Sequence, residues 1–315
     1  MANSVLKVST ATIAKMKEHY STYVQTKSPQ GAVFTAKPPG CTITAYHSGK
    51  VLFQGKNGEV EASQWQGETS ASQANSTQKK PKKAHGYEPP QHIESMSIIG
   101  SDEVGTGDYF GPITVVAAFV GRNQIALMKE LGVKDSKHLT DKQIVAIAKD
   151  LIKTIPYSLL VLRNEKYNQM QQKGMSQGKM KAILHNRALL NVIDKLEGTS
   201  YDGILIDQFV EPTTFFSHLK SEKRKLQGEI FFSTKAEGIH LSVAAASIIA
   251  RYAFLKEFEA LSAEAGFDIP KGAGRHVDVA AAQLMKAKGA DQLNHFVKLH
   301  FANTMKAKQL ASASH

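Results

Sequence analysis

The fold turns on one stretch, SDEVGTGDYFGP, residues 101–112. It follows the apolar run Ser97-Ile98-Ile99, ends it in two adjacent acids, Asp102 and Glu103, and then frees the backbone through Gly105, Gly107 and Gly111. A glycine-rich dinucleotide loop must open a helix, whose N-terminus receives the pyrophosphate. Here Pro112 and the β-branched run ITVVAAFV (113–120) follow, so the segment reads strand, glycine turn, strand. No GxxxxGK[ST] pattern occurs, which removes a P-loop. What the glycines retain is close backbone approach, by which amides contact a sugar or phosphate with no side chain between. A plain hairpin turn in need of glycine is the other reading.

Downstream, the sequence alternates helices and strands without strict βα repetition. KELGVKDSKHLTDKQIVAIAKDLIKTI predicts a turn and then a helix capped near Thr140, with Asp141 in its first turn. YSLLVLR, GILIDQF (203–209) and EIFFST read as strands. About Gly178 to Leu196 reads as a helix with Met180, Ile183, Leu184, Leu190 and Ile193 near one face, and LSVAAASIIARYAFLKEFEALSAEAG as a long helix closed by Gly266. Such an order predicts a mixed sheet.

Upstream, the pattern is strand, helix, three strands, helix. Ser9 or Thr10 can cap a helix running to about Tyr23. AVFTAK, TITAYHS and KVLFQG alternate with period two, and Ser48-Gly49 suits a tight hairpin. The outward face of this sheet carries Thr42, Thr44, Tyr46, Lys50 and Gln54, or the opposite set if the register slips by one. Between the two parts lies QGETSASQANSTQKKPKKAHGYEPPQ, which is too poor in aliphatic residues to offset its ordering entropy. The expected division is therefore a small unit over 1–65, a flexible basic linker over 66–91 with Lys79, Lys80, Lys82 and Lys83, and a larger unit over 92–315.

The formal charge of +11 over 315 residues points to polyanionic partners, nucleic acid first. The one cysteine, Cys41, excludes a disulfide framework and a Cys-based zinc site, and suits a reducing compartment. There is neither a signal-peptide pattern nor a run of apolar residues long enough to cross a membrane. A cytoplasmic, monomeric protein is expected.

Adjacent strand residues point to opposite faces, so Asp102 and Glu103 share one site only if the strand ends there and the loop turns Glu103. Asp207 terminates the apolar run GILID, which tolerates a carboxylate only at its exposed end. Glu237 stands just before the long helix. Taken singly, Asp207 reads as well as a turn residue and Glu237 as a first-turn acid facing the helix dipole. As a converging set, the four repel one another and call for cations. Hard oxygen donors favour Mg2+ or Mn2+ over zinc, and two such ions suit an in-line displacement at phosphorus.

SDEVGTGDYFGP, VKDSKHLT, GILIDQF and KAEGIHLSVAAASIIARY, in this order, resemble the type 2 ribonucleases H. The N-terminal unit with AYHSGKVLFQG, and GTG where the HII branch has GRG, point within that family to the bacterial HIII branch. The resemblance implies an α/β, ribonuclease H-like fold: a mixed five-stranded sheet flanked by helices, preceded by a small α+β domain similar to the TATA-binding protein. It implies hydrolysis of the RNA strand of RNA/DNA hybrids to 3′-hydroxyl and 5′-phosphate ends, with two Mg2+ or Mn2+ ions. Asp102, Glu103, Asp207 and Glu237 become the catalytic, metal-binding acids, with Asp102 expected to bridge both ions. Glu237 stands where the HII branch has Asp, one methylene shorter.

By the same resemblance, Gly105, Thr106 and Gly107 contact the RNA strand at its 2′-hydroxyls. Asp135-Ser136-Lys137 and Arg251 are candidate phosphate contacts, and Tyr46 and Lys50 candidate hybrid contacts in the first unit. Arg251 reads equally well as a salt-bridging residue on its helix. His276 either assists protonation or is an ordinary surface histidine; Asp108 lies beside the site, followed by the packing residues Tyr109 and Phe110. Two other readings remain: a DNA nuclease or resolvase of the same superfold, which leaves the GTG loop unexplained, and a non-enzymatic hybrid-binding protein, which leaves four intact acids unexplained.

Overall fold

The computed structural model describes residues 3–26, 28–29, 31–65 and 86–313. The chain divides into two units, residues 1–82 and 83–315. In the first, β1 (Asn3–Lys7), α1 (Thr10–His19), β2 (Ala32–Ala36), β3 (Thr42–Tyr46), β4 (Lys50–Gln54) and α2 (Gly58–Ser63) build an antiparallel sheet of order β1-β4-β3-β2. The Ser9 hydroxyl caps α1 by accepting the Thr12 amide at 3.0 Å. The helix stops at His19 rather than near Tyr23, because the Tyr20 ring turns inward and its hydroxyl meets Glu61 at 2.7 Å and the Trp65 indole at 3.0 Å. Ile43, Ala45, Val51 and Phe53 are fully buried with Ile13 and Met16 of α1. That alternation selects the first of the two registers: on the other face Thr42 and Tyr46 are half-buried and Lys50 and Gln54 exposed, but Thr44, expected outward with them, is buried.

Most of the expected linker, residues 66–85, lies outside the described residues. Its expected end at Gln91 falls too late, because Tyr87 already packs in the second unit. Its ring meets Phe216 and Phe232, and its carbonyl accepts the Phe232 amide at 2.8 Å. An aromatic residue among polar neighbours has core to bury in, and it anchors the segment.

The second unit contains β5 (Ile98–Val104), β6 (Ile113–Val120), α3 (Ile125–Glu130), α4 (Asp141–Thr154), β7 (Tyr157–Leu162), α5 (Asn164–Gln172), α6 (Gln177–Lys195), β8 (Gly203–Asp207), α7 (Pro212–His218), β9 (Ile230–Ser233), α8 (Leu241–Ala265), α9 (Arg275–Lys288), α10 (Leu293–Phe296) and α11 (Asn303–Ser312). Its sheet order is β7-β6-β5-β8-β9, with β6 antiparallel to both β5 and β7, and β8 parallel to both β5 and β9. The mixed five-stranded sheet is the one expected. Thr140 caps α4 in a reciprocal capping box with Gln143, and Gly266 ends α8 at φ 82.

Both faces of the central strand are covered. Ile99, Val115 and Ala117 pack with Ile183, Leu189 and Val192 of α6, while Val116 and Ala118 pack with Ala245, Ile248 and Ile249 of α8. Each of the valine, leucine and isoleucine side chains contributes about 1.5–3 kcal/mol on burial, which holds the two helices against the sheet. Gly100 lets α8 come unusually close: a Cβ there would stand 2.4 Å from the Val243 nitrogen. The helices α9 to α11, which carry no sharp pattern in the sequence, close the far end around Phe254, Phe258, Val277, Leu284 and Phe296. Among the described residues, no helix is long and apolar enough to cross a membrane.

Candidate active site

The parallel pairing of β5 with β8 ends at Ser101 opposite Ile206. Asp102 and Asp207 are the next residue on each strand, so both acids stand at the carboxyl end of the sheet, where β5 has an antiparallel neighbour on one side and a parallel one on the other. Glu237 arrives on a short 3-10 turn, Ala236–Gly238, entered through Lys235 at φ 61. A left-handed non-glycine residue is costly, and here it is held by the Ala236 amide, which donates to Asp207 Oδ1 at 2.8 Å. The acids line one cavity of about 480 Å³ with Gly105, Thr106, Ser136, Lys137, Ser247 and Arg251.

The strand does not end at Glu103, where the sequence reading puts its end for a shared site; β5 continues through Val104. Asp102 and Glu103 instead point to opposite faces of β5 at the carboxyl end of the sheet. Glu103 is turned toward α6, where Lys181 Nζ donates to Oε1 at 2.7 Å and His185 Nε2 meets Oε2 at 3.0 Å. The far nitrogen of His185 is 2.8 Å from the Ser101 hydroxyl, two residues back on the same strand face. Burial alone would raise the Glu103 pKa, but the His185 hydrogen bond and the charges of His185 and Lys181 outweigh it and bring it to about 2. An ionised carboxylate only accepts, so Nε2 carries the proton in this contact.

Asp102 has the opposite environment. It is buried beside Glu103 and Asp207, and burial first, then those two charges, push its pKa well above the usual carboxylate range. Asp207 is raised as well, by burial and then, against the Ala236 amide, by the charges of Glu103 and Glu237. Glu237 is held by the Lys137 ammonium and by the Ser136 hydroxyl at 3.1 Å, and Ser136 also meets Ser247 at 2.9 Å. Lys137 itself is largely exposed.

The other expected contacts are distributed unevenly. Arg251 lines the cavity, but its guanidinium is 3.1 Å from Asp141 on α4, and Lys271 shares that carboxylate at 2.8 Å. Its salt bridge therefore runs to a neighbouring helix rather than along its own. Gly107 stands in the open, with nothing within 4 Å of where a Cβ would be. Asp108 serves the loop, accepting the Gly272 amide at 2.6 Å. His276 is exposed and meets the Lys271 carbonyl at 3.1 Å, away from the cavity lining. Tyr46 and Lys50 belong to the other unit. Lys181 and His185 are absent from the sequence reading; a lysine and a histidine four apart on an otherwise buried helix face were the available signal.

A family model described as Ribonuclease HII matches residues 99–304, and one described as a domain of unknown function, DUF3378, matches residues 3–80. Ribonuclease HIII of Bacillus licheniformis is 60% identical over 312 residues, covering 99% of each chain. The chain belongs to the ribonuclease HIII family. Ribonuclease HIII of Bacillus subtilis is 61% identical, over 99% of this chain and 98% of that one. Among solved structures, Bst-RNase HIII in complex with Mn2+ superposes with a TM-score of 0.68 at 45% identity, covering 99% of this chain and 100% of that one. As a ribonuclease HIII family member the chain is a ribonuclease H endonuclease, and hydrolysis in this family depends on divalent metal.

The acid set fits such an ion. Its donors are hard carboxylate oxygens, and Asp102 and Asp207 are pushed toward protonation first by burial and then by the charges of neighbouring acids, both of which a cation would offset. Among the described residues, no three ligands are already drawn into a closed cluster. Lys181 and Lys137 compensate the two glutamates instead.

Proposed function

We propose that the chain cuts the RNA strand of RNA/DNA hybrids at the cavity between β5, β8 and the 236–238 turn, leaving 3′-hydroxyl and 5′-phosphate ends. The observation that carries this is the meeting of Asp102, Glu103, Asp207 and Glu237 beside the glycine loop. Asp102, Asp207, Glu237 and Glu103 would hold two Mg2+ or Mn2+ ions, and the existence of a Mn2+ complex of Bst-RNase HIII supports a divalent ion as the cofactor. When bound, such ions activate water and stabilise the leaving oxygen.

The chain's own residues do the rest. Lys181 and His185 keep Glu103 ionised and fix both of its oxygens. The Ala236 amide orients Asp207, and Ser136 with Ser247 orients Glu237. Lys137, exposed at its outer end, is placed to exchange its carboxylate for a scissile-strand phosphate. Gly105, Thr106 and Gly107 meet the ribose through backbone groups, which separates RNA from DNA.

The first unit, read as a TATA-binding-protein-like domain, adds hybrid affinity through the sheet face of Tyr46 and Lys50. A cytoplasmic monomer completes the reading.

Incubating the full chain with labelled RNA/DNA, RNA/RNA and DNA/DNA duplexes in Mg2+, Mn2+ or EDTA tests it. Only the RNA strand of the hybrid should be cut, and only with metal. Cleavage of DNA would favour the resolvase reading, and binding without cleavage the non-enzymatic one.

A further inference from the structure

Lys298 is fully buried, yet the mechanism above makes no use of it. Its ammonium donates to the carbonyls of Asp108 at 2.8 Å and Gly111 at 2.5 Å, and its own amide donates to the Tyr109 carbonyl at 2.9 Å. It thereby grips the second half of the glycine loop at three points from a segment nearly two hundred residues away. The first half is held through a connected group. Gln177 Nε2 donates to the Thr106 carbonyl at 3.2 Å and to the Tyr167 hydroxyl at 3.0 Å, and the buried Tyr167 ring lies 5.9 Å from Lys298 Nζ.

Packing does not account for a lysine here. Burying an ammonium is expensive, and an apolar side chain of that length would fill the space without the penalty. Burial presses the Lys298 pKa down to about 7 against the charge of Asp108, but protonated or neutral the amine still donates to carbonyls. The loop's carbonyls at 106, 108, 109 and 111 are tied back. The amides of Tyr109 and Gly111 are tied back as well, to the carbonyls of Gly272 at 2.9 Å and Phe296 at 3.0 Å, so the attachment is one-sided only at the loop's tip. There, among the described residues, nothing accepts from the amides of Thr106 and Gly107, and the buried Thr106 hydroxyl has no partner.

We infer that Lys298 and Gln177, joined through Tyr167, are positioning residues that hold the glycine loop with the amides of its tip turned outward to read ribose. The inference rests on the proposed role of the loop as the RNA contact. Lys298 touches neither substrate nor acids; it sets the shape of the element that does. Without it the loop keeps its glycines but loses the fixed carbonyl side, and the amides no longer present one geometry to the 2′-hydroxyl.

Steady-state cleavage of a uniform RNA/DNA hybrid, and of hybrids carrying single 2′-deoxynucleotides across the cut site, tests this with the full-length chain and its Lys298→Met and Gln177→Leu variants. The original chain should lose activity when particular 2′-hydroxyls are removed. The variants should show a roughly tenfold higher KM on the uniform hybrid, with the larger part of the loss in KM rather than kcat, and a flattened dependence on those hydroxyls. Folded variants that keep both the KM and the original 2′-deoxy profile would make Lys298 a packing residue and overturn the inference. An original chain indifferent to ribose flanking the cut would sink the loop reading itself, and this inference with it. Should Lys298→Met fail to fold, as a thermal melt would reveal, Gln177→Leu decides alone, since that side chain is half-buried at a helix start.

Discussion

Lys181 Nζ lies 2.7 Å from Glu103 Oε1, and both side chains are about nine-tenths covered. Glu103, like Glu237 beside Lys137, is therefore charge-compensated by the protein before any metal arrives, and His185, one helical turn along, secures its other oxygen. Asp102, the residue before it, has no such cationic partner among the described residues, and burial and the charges of Glu103 and Asp207 bear on it instead. The two acids are neighbours in sequence and opposites in environment because β5 turns them to different helices.

The Lys181–Glu103 contact should be measurable as a coupling. Lys181→Met leaves a buried carboxylate oxygen without its donor and is expected to lower stability by about 1–3 kcal/mol. Glu103→Gln in the same chain should recover part of that loss. Urea unfolding of the two single variants and the double variant gives the interaction energy, and additive effects would mean that the pair is not coupled.

Asp102→Asn is expected to abolish turnover while hybrid binding survives. In the absence of metal it should also raise the melting midpoint, since it removes a buried carboxylate repelled by Glu103 and Asp207. A gain of 1 kcal/mol would appear as roughly 2–4 °C in a unit of this size. Calorimetry without metal, paired with a filter-binding assay, checks both halves; residual cleavage of a long hybrid would remove Asp102 from the chemistry.

Gly105 and Gly107 should fail in different ways. Gly105 sits at φ 94, and a Cβ there would come 2.2 Å from the Pro112 carbonyl and 2.8 Å from the Phe254 ring. Gly105→Ala is thus expected to destabilise by at least about 1–3 kcal/mol. Gly107→Ala meets no protein atom and should fold normally while raising KM, because the methyl would intrude only on a bound strand. Melts and kinetics on the two variants separate these outcomes; a Gly107→Ala enzyme with unchanged KM would argue against close approach at that amide.

A chain starting at Gly86, which preserves the Tyr87 contacts, should keep metal-dependent cleavage and lose hybrid affinity. Loss of a tethered binding unit removes its effective concentration, so KM rises and kcat is retained. Equal KM for the long and short chains would refute a binding role for residues 1–65.

His240 predicts a slope of stability against pH. Its Nδ1 accepts the Ser242 amide at 3.0 Å, and its Nε2 meets the Met96 carbonyl at 3.1 Å. A proton on Nδ1 would oppose that amide, and burial lowers the folded-state pKa from 6.5 to about 4. The unfolded chain therefore takes up the proton first. Stability is complete above pH 6.5 and falls as the pH drops toward 4, by on the order of 3 kcal/mol from this group. His240→Asn, which can still cap through its carbonyl oxygen, should flatten the slope between those limits in denaturant titrations.

Much of the second unit was legible because its elements are short, apolar and sharply bounded. ITVVAAFV became β6 residue for residue, Thr140 capped α4, and Gly266 closed α8. In the first unit, period-two alternation showed the strands but left two registers, and the structure chose the one with Ile43, Ala45, Val51 and Phe53 inside. The helices α9 to α11 were not legible, since their apolar residues become a face only when Phe254 and Phe258 meet them.

By itself the sequence determined which residue types were available: two acids before a glycine turn, a third ending an apolar strand, a fourth ahead of a long helix, and no nucleotide-cofactor loop. Those are local properties, set by backbone preference and hydrophobic pattern. Only the tertiary structure decided that Asp102 and Glu103 part to opposite sides of β5, that Arg251 spends its charge on Asp141, and that Lys298 reaches back to the loop at 108–111. Each of these joins groups far apart in the chain, through the pairing of distant strands and the burial of charge, and neither composition nor spacing carries that information.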